Sequence, residues 1–80
     1  NTSIKLPLTL AINSRNHKKI TELEEAFKSI DLISDFYILK FNNENIQYKI
    51  IYNGSPKTFL NNMSQKNFDL IMKNDVWTVR

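Results

Sequence analysis

Ser14, Arg15, His17, Lys18 and Lys19 fall within one short stretch, and it holds the chain's single histidine. Two chemistries suit such a set. In the first, His17 would act as base toward a nucleophilic Ser14. That arrangement needs an acidic group to orient the imidazole and donors for an oxyanion, and no acidic residue stands near His17 in the sequence. In the second, the basic residues would bind an anion. They gather at the expected start of a helix, where free backbone amides already carry positive potential and each added cation costs about 0.3–1 kcal/mol. A phosphate, a lipid headgroup or an acidic partner surface would relieve that repulsion. Lys66, expected at the same end of the molecule, would join Arg15, His17, Lys18 and Lys19 as the candidate anion-binding residues. The plain alternative is a solvated surface cluster.

The stretch "YNGSP", Tyr52 to Pro56, contains the only glycine of the chain, Gly54. A loop that cradles phosphate needs several glycines so that successive amides can turn inward. Here Ser55 is suited to cap a helix and Pro56 to occupy its first position, which leaves too few residues for a cradle. Gly54 is therefore expected to serve a turn with positive φ between a strand and a helix. The chain has no cysteine, and the first loop reads Asn13-Ser14-Arg15-Asn16. Thiolate metal sites, multi-histidine sites and thiol nucleophiles are excluded. No catalytic, cofactor-binding or metal-ligating set is expected, and the chain reads as non-enzymatic.

The elements that position these residues follow from hydropathy. Leu6, Leu8, Leu10 and Ile12 alternate with Pro7, Thr9, Ala11 and Asn13, the period of a strand with one buried face. Ile20, Leu23, Phe27 and Ile30 recur at three and four residues with Ala26 beside them, which predicts an amphipathic helix over 17–30. Ser14 or Asn16 can cap it. A hairpin follows, with Phe36 to Phe41 and Ile46 to Tyr52 alternating on either side of Asn42-Asn43-Glu44-Asn45. Phe59, Leu60 and Met63 form the apolar stripe of a second helix. Phe68, Leu70 and Met72 predict a fourth strand, with room for a fifth over Val76 to Arg80 after a Lys73-Asn74-Asp75 turn. Tyr48 and Tyr52 share parity with the buried residues of their strand, and Trp77 reads as a cap on the core. Glu22, Glu24 and Glu25 belong to the wet face of the first helix, where Glu24 and Lys28 can pair.

Eighty residues make one domain, burying about 60% of the surface its unfolded chain exposes. The order β-α-β-β-α-β points to an α+β, ferredoxin-like sandwich, an antiparallel sheet with two helices on one face. Residues 1–5 are expected to fray, and residues 6–80 to form the single domain. The face away from the helices should carry Thr9, Ala11, Tyr37, Leu39, Gln47, Lys49 and Ile51. Nucleic acid is not the expected partner of that face, because its strands lack the aromatic platforms that stack on bases. The net charge of +3 comes mostly from lysine, a pattern of solvated surfaces.

"YNGSP", "FLNNMSQKNFDL" (Phe59 to Leu70) and the final "WTVR" (Trp77 to Arg80) stand in an order that resembles the C-terminal module of a family of proteobacterial envelope proteins, domain-of-unknown-function family 2066. The resemblance spans roughly residues 6–80. It departs from the family pattern at Ile20, where a tryptophan is usual, and at Gly54-Ser55-Pro56, which stands for Gly-Asp-Pro. It implies a periplasmic or cell-envelope location and a place at the C-terminus of a longer protein, and it brings no catalytic residue.

The expected function is thus a protein-interaction or structural module of a larger bacterial envelope protein. Thr9, Tyr37, Leu39, Lys49 and Ile51 would form its contact face toward other domains of the parent or a protein partner. The alternative is the anion-binding module described above, acting on a membrane surface or on nucleic acid. The sequence fixes no oligomeric state.

Overall fold

The computed structural model describes residues 5–80. The segment expected to fray lies outside them except for Lys5, which is exposed and belongs to no element. The elements run β1 (Leu6–Asn13), α1 (His17–Ser29), β2 (Ile33–Phe41), β3 (Asn45–Tyr52), α2 (Pro56–Gln65), β4 (Leu70–Lys73) and β5 (Val76–Val79).

Short polar side chains set most of the boundaries. Asn16 caps α1 by accepting from the Lys19 N–H, and Ser55 caps α2 by accepting from the Thr58 N–H ahead of Pro56. At its far end α2 closes with Asn67 in the left-handed region, φ 68°. There the Phe68 N–H donates to the Met63 carbonyl and the Asn67 N–H to the Ser64 carbonyl, the paired bonds of a Schellman motif. Phe68 and Met63, both buried, supply the apolar contact that accompanies it. Phe68 is therefore a helix stop rather than the first residue of a strand, as its alternation with Leu70 and Met72 suggests.

The fold is α+β, with a mixed five-stranded sheet in the order β2-β3-β1-β5-β4 and two helices. β1 pairs antiparallel with β3 from Leu6 opposite Tyr52 to Asn13 opposite Asn45. This register puts Leu8, Leu10 and Ile12 beside Ile50, Tyr48 and Ile46 on one face. Both helices cover that face. Phe27 of α1 meets Tyr48 edge-on at 5.4 Å, and Phe59 of α2 meets Tyr52 edge-on at 5.3 Å. Such contacts add about 0.5–1.5 kcal/mol each to the area they bury.

The expected all-antiparallel sheet is corrected at its C-terminal side. β5 pairs parallel with β1, Leu10 with Trp77 and Ala11 with Thr78, and it separates β1 from β4. The cause is local. Asn74 and Asp75 both have positive φ, 50° and 64°, the requirement of a two-residue type I′ turn. That turn folds β5 tightly back along β4. Trp77 and Val79 of the returning strand pack against the core, as does Leu70 of β4, while Met72 and Lys73 of β4 stay exposed.

Two further expectations change. Gly54 does not have positive φ. Its role is steric, since a Cβ there would lie 2.8 Å from Cε2 of Tyr52. Glu24 leaves the wet face and accepts the Tyr48 hydroxyl at 2.6 Å instead of pairing with Lys28. The Tyr52 hydroxyl in turn accepts from the Asn62 side-chain amide at 2.6 Å. Each buried phenol thus has the partner that burial demands.

Gly54→Ala is expected to cost about 1–3 kcal/mol in urea denaturation, because Tyr52 is held between Phe59 and Asn62 and cannot swing aside. An unchanged midpoint would show that the ring yields freely. Tyr48 and Tyr52 are both held above the ordinary tyrosine pKa. Desolvation dominates at Tyr48, with the hydrogen bond and charge of Glu24 adding to it. At Tyr52 burial outweighs the opposing effect of the Asn62 bond. The unfolded chain releases these protons near pH 10 and the folded chain only above it. Their contribution to stability is therefore complete below about pH 10 and is lost as pH rises further. In a Tyr37→Phe background, phenolate absorbance should appear together with loss of the far-ultraviolet dichroism. Titration of both rings near pH 10 in a folded chain would contradict this.

Candidate functional site

β2 reads Ile33-Ser34-Asp35-Phe36-Tyr37-Ile38-Leu39-Lys40-Phe41, a sequence apolar enough for an interior strand. It nevertheless forms an edge, hydrogen-bonded to β3 alone. Of its apolar residues only Ile33 is fully buried. Phe36 packs against Phe27 with ring centroids 5.0 Å apart, and α1 covers the strand no further. Ile38 and Phe41 point to the helix side of the sheet and yet remain 52% and 68% exposed. On the open side Tyr37 is 49% exposed, as is Leu39 at the edge. Among the described residues, these four are the largest gathering of exposed large apolar side chains, and Leu32 and Met72 lie apart from them. Scattered apolar residues on a surface need no explanation, but a contiguous set on an edge strand does.

The register decides which residues share the open face. Asp35 pairs with Ile51, Tyr37 with Lys49, and Lys40 with Gln47. Across β3 the same rows continue to Pro7, Thr9 and Ala11 of β1. Tyr37, Lys49 and Thr9 therefore form one row and Ile51 the next, which brings together four of the five residues expected on the contact face. Leu39 departs from it. A bulge between Ile38 and Lys40 leaves Leu39 unpaired, so Lys40 takes the place on the open face that simple alternation assigns to Leu39. Ala11 lies on this face but is nearly buried, as a small residue on the central strand between Gln47 and Thr78. Trp77 lies in the Leu10 row on the core side and gives this face no cover.

The basic residues are less concentrated than their sequence spacing suggests. Arg15 and His17 line one hollow of about 350 Å³ with Ser14, Phe41, Asn42 and Asn43. Lys18 is exposed and is not part of its wall. The Lys19 ammonium sits 5.6 Å from the centre of the Phe68 ring, a cation–π contact that turns it toward α2. Lys66 lines a groove of about 480 Å³ between the helices with Thr21, Glu22, Glu25, Ala26, Ser29, Asn67 and Phe68. Two carboxylates thus share the groove of that lysine. Arg15 likewise has Glu44 beside it in an adjoining hollow with Asn13 and Asn43. Asn side chains build this end of the molecule. Asn13 accepts from the Arg15 N–H, and Asn42 accepts from the N–H groups of Glu44 and Asn45, which closes the β2–β3 turn.

Among the described residues no three His, Asp or Glu side chains stand together as metal ligands, and no helix is long and apolar enough to cross a membrane. The features that sequence reasoning missed are the register irregularities at Ser34 and Leu39 and the exposure of Ile38 and Phe41. The run of five large side chains before Asn42 was the available signal, being longer than one buried face needs. Comparison with known proteins adds no relative: no protein-family model matches the chain, and no curated protein or solved structure matches it significantly.

Proposed function

We propose that the chain is a non-enzymatic protein-interaction module whose contact surface is the β2 edge together with the adjoining open face at Tyr37, Lys49, Thr9 and Ile51. The observation that carries this reading is the set Tyr37, Ile38, Leu39 and Phe41, 49–68% exposed on a strand with one free side. A free edge offers backbone donors and acceptors to an incoming strand, and alternate side chains on its two faces can set specificity. The nine residues of β2 make it the longer of the two edges, since β4 has only four and ends on Lys73. The β1-α1-β2-β3-α2-β4 order, the antiparallel β2-β3-β1 portion and the two helices on one face support a ferredoxin-like frame with β5 inserted as an added strand.

The envelope location and the place within a longer protein belong to the same proposal and rest on the likeness of "YNGSP" and "WTVR" described above. The anion-binding alternative keeps the support of Arg15 and His17 in their common hollow. It loses that of Lys19 and Lys66, which face Phe68 and the Glu22 and Glu25 pair.

Site-specific photo-crosslinking in the native host tests the proposal. A benzophenone side chain at position 37 or 41 should give discrete protein adducts, and one at Lys57, exposed on α2, should not. Equal adducts at Lys57, or none at 37 and 41, would refute the proposed surface. The adducts should persist from low to moderate salt, whereas contact through Arg15 and His17 would weaken steeply over that range.

A further inference from the structure

We propose that the partner of β2 is β2 of a second copy, paired antiparallel about Tyr37 so that two five-stranded sheets join into one. The inference rests on the reading of β2 as the contact surface and names its occupant.

The order of charges and faces along the strand selects this pairing. With Leu39 set aside by the bulge, Asp35, Tyr37 and Lys40 lie on the open face, opposite Ile51, Lys49 and Gln47 of β3. Phe36, Ile38 and Phe41 lie on the helix face, opposite Ile50, Tyr48 and Ile46. Antiparallel pairing of two identical strands has its twofold axis along the sheet normal, so open face meets open face and helix layer lies beside helix layer. Centred on Tyr37, this operation puts Tyr37 opposite Tyr37, Phe36 opposite Ile38 and Asp35 opposite Lys40. The one acidic and the one basic side chain of the strand thereby become partners, twice over.

Neighbouring registers lack this match. Centred on Ile38, the strand sets Lys40 against Tyr37 and leaves Asp35 beyond the paired stretch. Centred on Phe36, it sets Asp35 against Tyr37 and strands Lys40. Opposite charges directly across an antiparallel pair are favourable and misplaced ones are not, so the charges choose the register. In the single chain the Asp35 carboxylate accepts the Phe36 N–H at 2.9 Å, and Lys40 has no ion-pair partner among the described residues. The pairing also covers Tyr37 and Ile38, about half exposed in the single chain. A partner of unrelated sequence would have no reason to find acid and base balanced about the middle of the strand.

Sedimentation equilibrium of the 80-residue chain should show a reversible monomer–dimer equilibrium. Asp35→Lys or Lys40→Asp should raise its dissociation constant about tenfold, and the double exchange Asp35→Lys/Lys40→Asp should bring it back to within about twofold. A double variant as weak as the single ones would overturn the register. The chain has no cysteine, so Tyr37→Cys provides a second reading. Residues opposite each other in such a pair have Cα atoms about 4.5–5.5 Å apart, within disulfide reach. Mild oxidation should convert Tyr37→Cys to a covalent dimer and leave Ile71→Cys on β4 monomeric. Equal crosslinking of Ile71→Cys would point to open-ended edge association and overturn the closed pair. A chain that stays monomeric but still gives photo-adducts with a foreign protein at 37 and 41 would overturn self-pairing and leave the interaction module standing. Neither dimer nor adduct would remove both.

Discussion

Leu10 stands where the two pairings that define the sheet cross. It lies opposite Tyr48 in the antiparallel ladder to β3 and beside Trp77 in the parallel ladder to β5, and it is wholly buried. Because strand side chains alternate, a slip of one residue in β1 would turn Leu8, Leu10 and Ile12 to water and bring Thr9 and Ala11 into the core. The β1 register therefore fixes which face of β3 receives α1 and α2. It also fixes which side of β2 faces the helices and which of its side chains are left without cover. The candidate surface is in this sense a remainder, the part of the sheet that a thirteen-residue helix does not reach.

Much of this is written plainly in the sequence. Leu6, Leu8, Leu10 and Ile12, and likewise Ile46, Tyr48, Ile50 and Tyr52, recur at every second position because each strand turns one face to the core. The α1 stripe at Ile20, Leu23, Phe27 and Ile30 is that of a helix lying on a sheet. Asn16, Ser55 and Pro56 act locally, through bonds to amides three residues on, so their roles need no knowledge of the rest of the chain. The open-face row of Thr9, Tyr37, Lys49 and Ile51 follows from the same alternation.

What the sequence leaves hidden depends on contacts between distant residues. Strand order is one case. Nothing in Val76 to Val79 says that β5 will lie beside β1 with β4 outside it, because the choice is a competition between two apolar strands for one edge. Leu39 is another, since a bulge is a property of the pairing and not of the residue. Gly54 was legible as a necessary glycine but not for its reason, which is the ring of Tyr52 two residues earlier. Glu24 reads as a solvent charge until the hydroxyl of Tyr48 is seen to need an acceptor. Lys19 leaves the cluster of Arg15, His17 and Lys18 because its ammonium finds the ring of Phe68, far away in sequence.

The parallel strand also bears on how the chain can be made. β5 sits in the interior of the sheet, yet it follows β1, β2 and β3 in the chain, which are free to pair before it leaves the ribosome. Until residues 76–79 emerge, β1 carries an open, apolar edge of its own, in addition to that of β2. The contact that closes the sheet joins residues near opposite ends of the described chain, the kind of long-range pairing that forms slowly. Each molecule therefore passes through an interval in which its central strand is open on one side, and the long-range pairing of β5 with β1 ends it.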